Sequence, residues 1–259
     1  MKIDRVLAEL AAALGFLTRL PLPARWFRPG LASASGASAF SVAGALLAIP
    51  AAAVLLLAVF ARLPATVSAL LAVATLIVIT GALHEDGLAD CADGFFGASE
   101  MPRRLEIMKD PRIGSFGAIT LVLSLLLRVL LVAALIERAG AGLAALSLVG
   151  VEAASRAAMV CIWRALDSAR PGGVADRVGT PGREEGNAAL AAGILIAVCA
   201  FLPAAGLPGL LAAGTLAVIA TFSLAALARS KIGGQTGDVL GATQQVAAMS
   251  LLIGLVATV

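Results

Sequence analysis

Seven apolar stretches, each close to the roughly 20 residues that cross a bilayer as a helix, dominate this chain. They fall at 37–60, 65–83, 115–136, 141–162, 188–204, 208–228 and 242–258. A soluble domain averages roughly 45–50% apolar and 25% charged residues. Here 60% are hydrophobic and 14% charged, with a mean hydropathy of +1.00. Such a surplus finds no interior in water, so a soluble enzyme, a disordered chain and a nucleic-acid binder are excluded. The predicted fold class is all-α: a polytopic integral membrane helix bundle of about seven transmembrane helices. No internal repeat or linker divides the chain, which predicts one membrane-embedded domain over residues 1–259. Cys91, Cys161 and Cys199 are scattered, with no C-x-x-C, and indicate neither a disulfide framework nor a zinc site.

The connections alternate between short and long. Spans one and two meet at residues 61–64, three and four at 137–140, five and six at 203–207, whereas 84–114, 163–187 and 229–241 are long and polar. Of 19 Lys and Arg, 15 lie in the N-terminal segment or these three loops, and only Arg62 and Arg138 fall among the short turns. The positive-inside rule therefore predicts cytoplasmic long loops. Trp26 and Trp163 fall near the same interface, as an aromatic belt would have them.

The N-terminus admits a cleavable signal peptide, with Lys2 and Arg5, a short apolar run and Ala32-Ser33-Ala34. Asp4 and Glu9 interrupt that run, and Arg19, Arg25 and Arg28 follow it. The favoured reading is an N-terminal amphipathic helix lying on the membrane surface. It carries Ile3, Leu7, Leu10, Leu14 and Leu17 on one face and is ended by Pro21 and Pro23.

Seven of sixteen acids lie between Glu85 and Asp110. Asp86, Asp90 and Asp93 are spaced i, i+4, i+7, which on a helix puts three mutually repelling carboxylates on one face. A hard divalent cation removes that conflict, Mg²⁺ first and Mn²⁺ as the alternative. The plain alternative is a solvated polar loop. Lys109 and Arg112, flanking Asp110, read either as phosphate-binding cations or as a positive-inside anchor. Gly233-Gly234-Gln235-Thr236-Gly237-Asp238 reads as an anion nest with a further ligand, Asp238, or as a flexible reversal. Glu152 and Arg156, at i, i+4 in span four, and Arg128 in span three are costly charges at membrane depth. They read equally as a structural ion pair or as a polar wall below the site. His84, the only histidine, reads as a base, a phosphate donor or an interface residue.

At three of these motifs the chain resembles a known family. Leu83-His84-Glu85-Asp86-Gly87-Leu88-Ala89-Asp90-Cys91-Ala92-Asp93-Gly94 is one, Ile107-Met108-Lys109-Asp110-Pro111-Arg112-Ile113-Gly114-Ser115-Phe116-Gly117 the second and Gly233-Gly234-Gln235-Thr236-Gly237-Asp238 the third. Together with Phe16-Leu17-Thr18-Arg19-Leu20-Pro21, they are similar to the signatures of the cobalamin synthases, or adenosylcobinamide-GDP ribazoletransferases. Cys91 stands where that family has small residues such as Thr. The resemblance implies a Mg²⁺-dependent transferase of the bacterial inner membrane with cytoplasmic active-site loops. It would join adenosylcobinamide-GDP to α-ribazole or α-ribazole 5′-phosphate, releasing GMP, in the last steps of cobalamin nucleotide-loop assembly. Its partners would be those two small molecules and membrane lipid, with no nucleic acid, and self-association is left open. On this reading His84, Asp86, Asp90, Asp93 and Lys109 are catalytic. Glu85, Arg112, Gly233, Gly234 and Thr236 bind substrate, and Asp86, Asp90, Asp93, Asp110 and Asp238 hold the metal.

Asp90-x-x-Asp93-Gly94 is also similar to the D-x-x-D-G core of CDP-alcohol phosphotransferases, lipid-synthesising enzymes. Gly97 and Ala98 depart from that family's Ala-Arg, and no G-x-x-x-D-x-x-x-D follows. A cation-coupled transporter is the alternative from another class, since intramembrane acids often mark ion paths. A transporter keeps its site near the midplane, whereas these acids gather at one interface.

Overall fold

The computed structural model describes residues 2–19, 23, 33–170, 172–173 and 178–259. Trp26, Arg25, Arg28, Pro21 and Arg177 lie outside the described residues. Helix α1 spans Lys2–Leu17, and a 3₁₀ segment at Ser33–Ala39 leads into α2, Phe40–Phe60. Then come α3, Ala65–Thr80, α4, Leu83–Gly97, and α5, Met101–Ile107. They are followed by α6, Ser115–Ala139, α7, Ala141–Ala165, α8, Arg183–Ile232, and α9, Gly237–Val256. Among the described residues the only β-type pairing is one isolated bridge, Ser168 with Gln235.

Among the described residues five helices are long and apolar enough to cross a membrane alone, and α3 with α4 passes as a bent pair. Helix α8 is long enough for two crossings. Its 50 residues would measure about 75 Å if straight, against a hydrocarbon core of about 30 Å. It breaks at Gly206, where φ is +64° and ψ −169°, between Pro203 and Pro208. A positive φ costs glycine little, and Pro208 supplies no amide to carry the helix through. The two arms fold back on each other, for Leu190, Ile194 and Phe201 of one and Leu210, Val218 and Phe222 of the other line the same apolar cavity of about 510 Å³. With α8 taken as two arms and α3 with α4 as one bent span, the described helices are long and apolar enough for the seven crossings expected.

Helix α3 ends at Thr80, not at residue 83, because Gly81 (φ +63°) and Ala82 (φ +59°) are both left-handed. After that corner α4 runs at 87° to α3. The acidic stretch expected to begin a loop is therefore a helix laid across the loop-rich end of the bundle. Large apolar side chains on the outside face the bilayer, Phe60 being 87% exposed and Val78 78%.

The interior is two apolar cores with a polar layer between them. Leu17, Phe40, Leu88, Phe95, Trp163, Ile232 and Leu240 belong to the core at the loop-rich end. Leu55, Leu76, Leu135, Leu148, Phe201 and Leu252 belong to the other. Helix α7 passes from Leu148 in one to Met159 in the other, and α9 from Ala242 to Ala248, so Glu152, Arg156, Gln244 and Gln245 fall between them. Helix α1 docks on the first core through Leu10, Leu14 and Leu17, while Leu7 turns outward. It stops at Leu17, short of Pro21, with the Thr18 hydroxyl donating to Leu14 O at 2.8 Å. Trp163 is not an interfacial belt residue. It is buried, stacked on Phe16 at 5.8 Å and packed on Phe40 at 5.9 Å.

Candidate active site

Helix α4 organises the site because its two faces do different work. On the inner face Glu85 Oε1 accepts from Arg128 Nη1 at 2.8 Å and from Gln245 Nε2 at 3.0 Å. His84 Nε2 lies 3.3 Å from Arg156 Nη2. Arg156 also pairs with Glu152, whose other oxygen lies 3.6 Å from Arg128 Nη2. Gln244 Nε2 bridges Glu152 and the Ser155 hydroxyl. All these residues are buried, two carboxylates facing two guanidiniums. Each charge is expensive at this depth, and the network keeps them paired. His84 and Glu85, expected to meet substrate, are thus drawn inward, where they fasten the first turn of α4 to α6, α7 and α9.

The outer face carries Asp86, which is exposed, and Asp90, which is half-buried. Both line a cleft of about 210 Å³ with Lys109, Asp110 and Arg112. A second opening of about 460 Å³, lined by Asp93, Asp110, Arg112, Gly114 and Phe116, continues along the loop before α6. Asp93 turns aside from its two neighbours. Its Oδ2 accepts from Gly114 N at 2.7 Å and its Oδ1 from Gly117 N at 2.8 Å. The carboxylate so placed caps the first turn of α6, where the helix dipole favours negative charge.

Asp110 is tied to Arg112 by a fork of 2.9 and 2.7 Å, and also accepts the Arg112 backbone amide at 3.0 Å. The Arg112 guanidinium beside it holds the Asp110 carboxyl down at about 2. Arg112 points outward, its side chain 86% exposed, and Lys109 is exposed at the cleft rim.

Asp238 joins the acids from the first turn of α9. Helix α9 reaches α4 at Gly87, where a β-carbon would sit 2.7 Å from Asp238 O, so glycine is what permits the approach. Asp86 and Asp238 both repel the Asp90 charge, and Arg170 opposes them. Among the described residues no three His, Cys, Asp or Glu side chains converge closely enough to enclose a metal ion. The acids gather around a cleft without forming a closed cage.

The glycine-rich loop has mainly backbone duties. Gly233 ends α8 with φ +81°, its amide donating to Arg229 O. Gln235 N donates to Asp167 O at 2.9 Å, and Ala169 N to Gln235 O at 2.8 Å. The Thr236 hydroxyl accepts from Val239 N at 3.3 Å, capping α9, and lies 3.2 Å from Asp238 Oδ2. The loop therefore stitches the 167–169 segment to the start of α9. That stitching brings up Arg170, which the sequence offers only as one of many loop cations. Its Nη1 lies 3.9 Å from Asp238 Oδ2 and its Nη2 donates to Leu105 O at 3.2 Å. Gln244 and Gln245 belong to none of the sequence motifs, although two adjacent amides inside an apolar span are a visible signal of the buried network they join.

A bundle of long apolar helices, with acids and loop cations gathered around a cleft at one end, defines a polytopic membrane protein with a polar, anion-competent cleft at that end. More particularly, the chain belongs to the cobalamin-5-phosphate synthase family, whose model matches residues 9–256. It is 50% identical over 257 residues to the adenosylcobinamide-GDP ribazoletransferase of Brucella anthropi, covering 99% of each chain. It is 48% identical, with the same coverage, to the protein of that name from Brucella ovis. No solved structure matches the chain.

Proposed function

We propose that this protein transfers the cobinamide phosphoryl group of adenosylcobinamide-GDP to α-ribazole or α-ribazole 5′-phosphate, in the assembly of the cobalamin nucleotide loop. The observation that carries the reading is the 50% identity to a ribazoletransferase over both whole chains. The cleft supports it, with Asp86 and Asp90 on one wall and Lys109 and Arg112 on the other. A free ribose hydroxyl of the ribazole, not the 5′-oxygen that is already esterified in α-ribazole 5′-phosphate, forms a bond to the cobinamide-side phosphorus, the bond from that phosphorus to the bridging oxygen breaks, and GMP leaves with that oxygen. The hydroxyl proton passes to a cleft carboxylate.

The residues fit Mg²⁺. That ion takes one or two carboxylates and completes its shell with water and substrate phosphate rather than a closed protein cage, and the open cluster offers oxygen donors in excess of local cations. Asp86 and Asp90 would hold it, with Asp238 on the flank. When bound, it neutralises charge developing on the transferring phosphoryl oxygens. Lys109 and Arg112 hold the diphosphate. Asp93 sets the start of α6, and His84 and Glu85 set the tilt of α4.

The enclosing membrane is the bacterial inner membrane, with the acid-bearing end in the cytoplasm, where the basic loops belong. The test is incubation of the purified, bilayer-reconstituted protein with adenosylcobinamide-GDP, α-ribazole and Mg²⁺. Release of GMP with matching cobalamin formation is expected, and the absence of both overturns the reading.

A further inference from the structure

Lys109 and Arg112 border one flank of Asp86 and Asp90. The opposite flank, toward α9, carries one arginine whose placement no motif explains. Arg170 sits where the bridge between Ser168 and Gln235 holds the chain beside Asp238. Its guanidinium is poorly satisfied. Nη2 donates to Leu105 O, Nη1 reaches Asp238 only at 3.9 Å, and the buried Nε has no hydrogen-bond partner among the described residues. An arginine has five N–H donors in a planar fork, and such a fork suits phosphate oxygens held two at a time. Arg112, assigned to the same diphosphate, stands in solvent and must exchange its fork on Asp110 for phosphate oxygens, whereas Arg170 holds donors already open. Arg104 is spent on the carbonyls of Ala98 and Lys231.

The charge around Arg170 argues the same way. A diphosphate that approaches Asp86, Asp90 and Asp238 is repelled by all three unless cations intervene. Arg170 is the side chain whose positive charge acts on both Asp90 and Asp238. A role confined to bracing the loop needs only the contact with Leu105 O, for which a neutral donor suffices.

We propose that Arg170 grips the diphosphate of the guanylated substrate from the α9 side, opposite Lys109. The assignment rests on the transfer reaction proposed above, and it names a substrate-binding residue for that site.

The experiment uses the full-length protein in lipid nanodiscs with Arg170→Gln, which keeps a donor for Leu105 O but no charge, and Arg170→Lys. Arg170→Gln is expected to raise KM for adenosylcobinamide-GDP about tenfold or more, the loss typical of one charge-assisted contact. KM for α-ribazole and the Tm should stay near the wild-type values, and Arg170→Lys should recover part of the loss. An unchanged KM overturns the proposal. So does a joint rise of both KM values with a fall in Tm, which marks a loop brace. Titration with Mg²⁺ and inorganic pyrophosphate separates this outcome from failure of the reaction itself. If the wild type turns nothing over yet binds pyrophosphate about tenfold tighter than Arg170→Gln, the reaction reading fails and the grip stands. Equal binding by both proteins, or none by the wild type, overturns the grip.

Discussion

Arg128 Nη1 and Glu85 Oε1 stand 2.8 Å apart, both buried, joining the middle of a membrane-crossing helix to the first turn of the helix that carries the acids. This contact makes the polar layer a support for the site as well as a means of neutralising charge. Removing one partner of such a pair strands the other and costs about 3–5 kcal/mol. Arg128→Met should therefore cut yield and lower Tm sharply. Arg128→Met with Glu85→Leu should recover a measurable part of that loss in a double-mutant cycle of thermal stability. Strict additivity would show that the contact contributes nothing.

Glu152 belongs to the same layer, facing Arg156, Arg128 and Gln244. Glu152→Gln should reduce yield and Tm more than turnover per folded molecule. A stable but inactive variant would move Glu152 from the supporting layer into the site.

Asp86 and Asp93 separate the proposed metal ligand from the strut. Asp93 accepts two backbone amides at the start of α6, whereas Asp86 is exposed at the cleft. Asp93→Asn replaces one acceptor oxygen by an amide that cannot accept. It should cost about 1–3 kcal/mol of stability and leave the Mg²⁺ dependence of the remaining activity unchanged. Asp86→Asn and Asp90→Asn should keep Tm and lower the transfer rate by orders of magnitude, with a raised Mg²⁺ requirement. Rates measured across a Mg²⁺ series beside thermal scans decide the matter, and near-normal rates in both Asn variants exclude them as metal ligands.

The Asp110 carboxyl, held at about 2 by Arg112, stays ionised at any pH used for assay. No limb of the pH–rate profile between pH 4 and 9 should vanish in Asp110→Asn. Loss of an acidic limb in that variant would show that Asp110 titrates within the reaction. Arg112→Ala should weaken adenosylcobinamide-GDP more than α-ribazole, because only the former carries a diphosphate. Equal changes in both KM values would remove Arg112 from the phosphate-binding set.

Orientation follows from the same basic-residue asymmetry. A single cysteine at position 62, in an otherwise cysteine-free chain, should react with an impermeant thiol reagent in sealed right-side-out vesicles. One at position 173 should react only after lysis, and reaction before lysis inverts the proposed topology.

Apolar run lengths, short turns and the spacing of Asp86 and Asp90 were legible without coordinates. Crossing a bilayer is a local demand, met by about 20 apolar residues in a row, and helical periodicity puts i and i+4 on one face wherever the helix lies. The match to the ribazoletransferases was legible for the same reason, in motifs contiguous along the chain. What each polar residue does was decided by tertiary structure. Two left-handed residues, Gly81 and Ala82, turn α4 across the bundle and send His84 and Glu85 inward. Asp93 shares the period of Asp86 and Asp90 but lies where the amides of Gly114 and Gly117 arrive from another helix. Arg170 reaches the acids only because Gln235, sixty-five residues on, pairs with the backbone on either side of Ser168. A side chain's partner is set by what the fold brings opposite it, and neither spacing nor charge in the linear chain carries that information.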